Sequence, residues 1–157
     1  MDENRKIPVK IKILGIHRPI LDPDDKSQVP EETEELAYGF LSKRGGTIFL
    51  VYEISENDGT SIKNMIKFTP KPCELKKTSS FHKGTITTPA SNLSYLSGAS
   101  AKGFYTTPYG RLDTETITQD LKYTESESSF SCTLSGIMKI NNSPVSEFEL
   151  KIEADIL

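Results

Sequence analysis

The chain has 157 residues, of which 35% are hydrophobic and 26% charged, with a net charge of −3. That length and balance suit one soluble domain, read as 1–157, able to bury a core without disulfides or a structural metal. The slight acidity removes any general attraction to phosphate backbones or anionic lipid, so neither nucleic acid nor membrane is expected as a partner.

The opening MDENRKIPVKIKILG is charged and then alternates. It has no continuous apolar segment of the kind that directs export, and no later run reaches transmembrane length, so a cytoplasmic address is expected. Val9, Ile11 and Ile13 alternate with Lys10 and Lys12, the period of a strand with one buried and one wet face. HRPILDPDDKSQVPEE, with three prolines and an acidic cluster, reads as a long polar loop. The apolar pattern resumes at Leu36, Tyr38 and Phe40, and Arg44-Gly45-Gly46 supplies the positive-φ residues of a hairpin turn.

TIFLVYEIS, from Thr47 to Ser55, is β-branched and aromatic on both faces, which suits a strand at the core of a closed sheet. Asn57-Asp58-Gly59 is a turn signal. Ile62, Ile66 and Phe68 then share one phase against Lys63 and Lys67, and Pro70 and Pro72 end the strand. Between Cys73 and Gly103, short apolar touches among Ser, Thr, Gly and Pro predict short strands and long loops. Phe130, Cys132, Leu134, Gly136, Met138 and Ile140 alternate with polar residues, and Asn141-Asn142-Ser143-Pro144 turns the chain. Phe148, Leu150, Ile152, Ala154 and Ile156 then face one way, against Glu147, Glu149, Lys151, Glu153 and Asp155.

No segment carries a 3.6-residue apolar stripe of helical length, so the chain is all-β with about eight to ten strands. A sheet of that size must close or sandwich. Successive hairpin signals favour a closed or nearly closed antiparallel barrel, with a sandwich as the alternative.

Four stretches, KIKILGI, LVYEISENDGTSIKNMIKF, TTPYGRLDTET and GIMKINNSPVSEFELKIEADI, give the chain its resemblance to the YwiB-like family. The TPYG step, Thr107 to Gly110, and the closing hairpin entered at Ser146-Glu147 are its most specific parts. That family is bacterial, common in Firmicutes and without an assigned function, and the resemblance implies a barrel similar to lipocalins and calycins. The chain contains no tryptophan, so the Gly-x-Trp signature of true lipocalins is absent, and a barrel shape does not bring a lipocalin's ligand with it.

Cys73 and Cys132 belong to no metal-ligand or redox spacing and read as reduced thiols. His17 and His82 fall in expected loops beside Arg18 and Lys83 and read as solvated. A calcium loop starting at Asp22 would need glycine at position 27 and glutamate at position 33, where Ser27 and Thr33 stand. No phosphate loop, dinucleotide fingerprint or nucleophile elbow is present. Glu53, Glu56, Glu115 and Glu147 could converge as paired carboxylates or simply form wet strand faces. No catalytic residue, cofactor or metal is assigned.

YTTPYGRLDTETIT, Tyr105 to Thr118, admits two readings. Pro108 and Gly110 suit a type I turn braced by Thr107, which leaves Tyr105, Tyr109 and Arg111 unexplained. If Tyr105, Thr107, Tyr109 and Arg111 keep one phase, they share a face, and a guanidinium among phenols can anchor a carboxylate or phosphate at a barrel mouth. The functional classes are therefore a module binding a small, anionic molecule, or an interaction barrel with a filled interior. An enzyme without a recognisable motif is the remaining class.

Overall fold

The structure is a computed structural model that describes residues 5–19, 31–55, 59, 61–70 and 81–157. Among the described residues there are ten strands: β1 (Ile7–Pro19), β2 (Glu31–Arg44), β3 (Thr47–Ser55), β4 (Ser61–Pro70), β5 (Phe81–Thr88), β6 (Ser91–Leu96), β7 (Ala99–Thr107), β8 (Gly110–Glu125), β9 (Ser129–Ile140) and β10 (Ser143–Ile156). Each pairs antiparallel with its sequence neighbours, and β1 pairs with β10 from Val9↔Ile156 to Pro19↔Ser146, which closes the barrel. The expected barrel is found, and the sandwich alternative falls.

Tight turns follow from local chemistry. Gly45 and Gly46 (φ 57 and 83) and Asn141 and Asn142 (φ 51 and 69) take the left-handed conformation at both central positions. That geometry matches the right-handed twist of flanking strands, and glycine and asparagine tolerate it best. The β8 strand carries an irregularity between Thr118 and Asp120, which moves its inward set from Thr114, Thr116 and Thr118 to Leu121 and Tyr123.

The interior is filled with side chains. Phe68, Phe130, Phe148, Ile11, Leu41, Ile48, Leu50, Ile66, Leu121, Ile152 and Val9 are fully buried. Phe130 lies 5.7 Å from Phe68 and 6.0 Å from Tyr123 between ring centroids, and Tyr95 meets Phe148 edge-on at 5.5 Å. Lys43 and Glu125, 3.6 Å apart, form an ion pair on the inward phase of β2 and β8. Burial pushes the free Cys132 thiol up to about 12. The even face of β9 and β10 is buried from Phe130 to Met138 and at Phe148, Ile152 and Ala154, as its alternation predicts.

Three expectations need correction. In β2 the inward residues are Ala37, Gly39 and Leu41, while Leu36, Tyr38 and Phe40 point outward with 58%, 65% and 49% of their surface exposed. Registration explains it: Ile11 lies opposite Ala37 and Val9 opposite Gly39, and a small residue at Gly39 makes room for the buried Tyr52 facing it. The stretch from Cys73 to Gly103, expected to hold short strands and long loops, has over its described residues 81–103 the short strands β5 and β6 and the start of β7, but joined by tight connections at Pro89-Ala90 and Ser97-Gly98 and not by long loops. His17 lies on β1 and His82 on β5, not in loops. Cys73, Glu56, the Asp22 cluster and the Asn57-Asp58 turn lie outside the described residues.

Candidate functional site

The β6–β7 ladder is only two pairs long, Ser91↔Tyr105 and Asn92↔Phe104, whereas β7 stays registered with β8 from Thr107 back to Ala99. Beyond Asn92 the two strands part. The Thr116 hydroxyl on β8 donates to the Ser94 carbonyl that β7 leaves unpaired, and the Gly98 amide donates to the Thr118 carbonyl at 2.9 Å. At the crossing stands Gly103, where a Cβ would come 2.2 Å from the Asn92 carbonyl oxygen, so no larger residue fits.

The parted seam leaves a groove of about 710 Å³. Its walls include Asn92, Lys102, Phe104, Arg111, Thr114 and the asparagines of the β9–β10 turn, Asn141 and Asn142. The Asn141 amide donates to the Asp113 carbonyl at 3.1 Å, which ties that turn to β8 at the groove's flank.

Arg111 lies with its guanidinium 4.1 Å over the Phe104 ring and its Nε 3.5 Å from the Asp113 carboxylate. The ring and the carboxylate hold the planar group in place while its outer nitrogens face solvent, since 63% of the side chain is exposed. Lys102, opposite Glu115 in the ladder, is exposed and has no ion-pair partner among the described residues, because Glu115 is paired with Lys139 at 3.8 Å. The wall therefore presents two cations, Lys102 and Arg111, and two carboxylates, both of them already paired, Asp113 with Arg111 and Glu115 with Lys139.

Thr114 lies beneath the groove, on the inward phase of β8 opposite Gly103. It is 4% exposed, and its hydroxyl has no hydrogen-bond partner. A buried hydroxyl without a partner costs about 1–3 kcal/mol, and Thr118, next on the same inward phase, is in the same state, so this cost belongs to the packing beneath the groove.

The four residues singled out from the sequence are not all brought together. Thr107 braces the turn, its hydroxyl donating to the Gly110 carbonyl at 2.7 Å and accepting from the Tyr109 amide at 3.2 Å. Tyr109 at the tip is fully exposed. Tyr105 lies opposite Leu112 and packs against the core, where burial raises its phenol pKa, whereas Arg111 lies opposite Thr106 on the outer face. The assumption of one shared face fails because a two-residue turn inverts odd and even phase between its strands. The same turn register predicts that Arg111 shares its face with Phe104 and Lys102; this was the available signal for those two residues. Thr114 and Asn92 join the site through the parting of β6 from β7, which no local pattern announces.

Arg111 pairs with Asp113 and not with Glu53 or Glu115. Glu53, Glu115 and Glu147 occupy outward positions on β3, β8 and β10, so these carboxylates do not converge. Among the described residues no group of three or more His, Cys, Asp or Glu side chains is placed to hold a metal ion, and no helix is long and apolar enough to cross a membrane.

Among solved structures, the chain is similar to the crystal structure of the ywiB protein from Bacillus subtilis, with a TM-score of 0.67 over 97% of this chain and 93% of that one, at 14% identity. A likeness at that identity shows the fold alone. No curated protein matches the chain. Residues 18–152, which include every strand that builds the groove, match the family described as Domain of unknown function (DUF1934), and the chain belongs to that YwiB-like family.

Proposed function

We propose that the protein is a binding module for a small anionic molecule, held on the outer face of the barrel in the β6–β8 groove. The observation that carries this reading is the unpaired Lys102 on the same groove wall as the exposed guanidinium of Arg111, which is held over Phe104. A carboxylate or phosphate would reach both cations, and Phe104 would keep the guanidinium flat against its rear. The filled interior favours an exterior site over the central cavity of a lipocalin-like barrel, so the lipocalin and calycin likeness is one of shape. We place the protein in the cytoplasm of a bacterium of the Firmicutes kind, in keeping with the organism of the similar structure and the reduced Cys132. Nucleic acid, membrane, cofactor and metal have no part in this proposal, and the groove binds without catalysing.

The test is a thermal-shift and calorimetric screen of inorganic phosphate, di- and tricarboxylates and mononucleotides on the wild type and on Arg111→Gln, Lys102→Gln and Thr114→Val. The Arg111–Asp113 pair is exposed and contributes at most about 1 kcal/mol, so Arg111→Gln should melt close to the wild type while its affinity for the anion falls at least about tenfold. Thr114→Val removes an unsatisfied hydroxyl on the inward phase with little change of shape, so it should hold or gain stability and leave affinity unchanged, as the control for the two charge substitutions. A panel in which no anion raises the melting temperature, or in which the shift survives both charge-removing substitutions, defeats the proposal.

A second reading, an interaction barrel, is favoured by a separate observation, the exposed apolar stripe on β2.

A further inference from the structure

Three of the five large apolar residues most exposed among the described ones, Leu36, Tyr38 and Phe40, lie on the outer face of the single strand β2. An apolar run of that kind on an otherwise charged surface marks an interaction site. The barrel register reveals what suits it. Across the sheet, the row through Tyr38 reads Asp155, Lys10, Tyr38, Glu53, Lys63 on β10, β1, β2, β3 and β4, with all five side chains exposed. The row through Phe40 reads Pro8, Phe40, Val51. Reversed about its centre, the first row has each charge replaced by its opposite, and the second remains apolar throughout.

We propose that the outer face of β2 is a contact between two copies of this chain, related by a twofold axis running along the strand. Such an axis lays Leu36, Tyr38 and Phe40 on their own counterparts and exchanges the two flanks. Lys10 of each protomer then meets Glu53 of the partner subunit, and Pro8 meets Val51 of the partner subunit. The barrel is convex, so Lys63 and Asp155 lie further out and contribute at longer range. Within one protomer neither Lys10 nor Glu53 has an ion-pair partner among the described residues, and Glu53 only accepts a long hydrogen bond from the Ser61 hydroxyl at 3.4 Å. A twofold axis across the strands would instead oppose Lys10 to Lys10 and Glu53 to Glu53, which costs free energy. A phosphate backbone or an acidic peptide suits the face less well, because Glu53 stands directly beside Tyr38 and Lys12 is occupied by Glu34 at 3.9 Å. Self-complementarity of this kind is what an isologous interface requires.

The experiment is sedimentation equilibrium of the wild type, Lys10→Glu, Glu53→Lys, an equimolar mixture of those two variants, and Tyr38→Ser, from about 1 to 100 µM. The wild type should dimerise within that range. Each single charge reversal opposes like charges at both symmetric contacts and should weaken dimerisation at least about tenfold, and Tyr38→Ser should do the same by removing the central ring. The mixture should recover wild-type affinity as a heterodimer, because the two variants together restore both opposite-sign contacts. That recovery also shows that the variants are folded. Far-ultraviolet circular dichroism melts of each variant provide an independent check of folding. A wild type that stays monomeric at about 100 µM, single variants that dimerise as the wild type does, or a mixture no tighter than its components would each overturn the proposal. So would a monomeric wild type that binds an oligothymidylate or a glutamate-rich peptide through Tyr38, which would reassign the face to that partner. The β2 contact and the β6–β8 groove share no residue, so the failure of one leaves the other standing.

Discussion

Gly136→Ala should be among the most damaging conservative substitutions in the protein, although it adds one methyl group. Gly136 lies opposite Thr118 on β8 and Phe148 on β10, and a Cβ there would stand 2.0 Å from the Ile117 carbonyl oxygen and 3.0 Å from the Thr118 Cα. The obstructing atoms are backbone, so no rotamer change relieves them. Reaching an ordinary carbon–oxygen contact of about 3.3 Å means parting β8 from β9 by more than about 1 Å, which stretches ladder bonds of about 2.9 Å beyond hydrogen-bonding range. Two such bonds lost in a buried setting cost roughly 2–5 kcal/mol, against which alanine recovers about 0.4–1 kcal/mol by restricting the unfolded chain. A net loss of about 2–4 kcal/mol remains, a large share of the roughly 5–15 kcal/mol typical of a domain. The internal control is Gly45→Ala, at a turn position with φ 57 and nothing within 4 Å, where only backbone strain of about 1–2 kcal/mol applies. Urea denaturation followed by circular dichroism and tryptophan-free near-ultraviolet signals measures both. If Gly136→Ala lies within about 0.5 kcal/mol of the wild type, or costs less than Gly45→Ala, the close approach of β8 and β9 is wrong.

On β9, Leu134→Ala should cost about 2–5 kcal/mol because Leu134 is buried in the core, whereas Thr133→Ala on the exposed face should cost under about 1 kcal/mol; equal losses in urea melts would mean the register is shifted. Stability should also decline in alkali. Burial lifts the Cys132 thiol to about 12 and holds Tyr52 and Tyr95 above the ordinary phenol range, so the folded chain keeps protons that the unfolded chain releases from about pH 8.5 for the thiol and about pH 10 for the phenols. The contribution is therefore complete below about pH 8.5 and falls by up to about 1.4 kcal/mol per pH unit and group above it; Cys132→Ala should flatten the decline between about pH 8.5 and 10, and a wild type equally stable at both ends of that interval would refute the assignment.

The strands that could be read from the sequence are those with one buried and one wet face. β9 and β10 alternate cleanly because every second residue meets the core, and their boundaries follow from the pattern. β2 could not be phased in this way, because Ala37, Gly39 and Leu41 are apolar on one side and Leu36, Tyr38 and Phe40 on the other. Bulk alone points to the wrong face, and only pairing with β1 decides. In β6 the inward set is Ser91, Leu93 and Tyr95, whose serine blurs the alternation. At the groove, Arg111 was legible as a residue that a turn does not need. Its surroundings depend on the two-residue turn that reverses phase and on the early end of the β6–β7 ladder. Both are matters of which strands touch, and composition within a window carries no trace of the second.

Closure of the barrel by β1 and β10 has a kinetic consequence. Every other ladder joins strands that are neighbours along the chain, so the sheet can grow hairpin by hairpin at little loop entropy. The last ladder joins the beginning of the chain to its end and becomes available only when all ten strands are in place. Until then the open sheet has two unpaired edges, β1 and β10, each with a row of free amides and carbonyls able to pair with another chain. Refolding should accordingly be slow for the chain's length, with the concentration-dependent losses falling before the final step, and the charged outward residues Lys10, Lys12, Glu147, Glu149, Lys151 and Glu153 stand where they would keep two such edges apart.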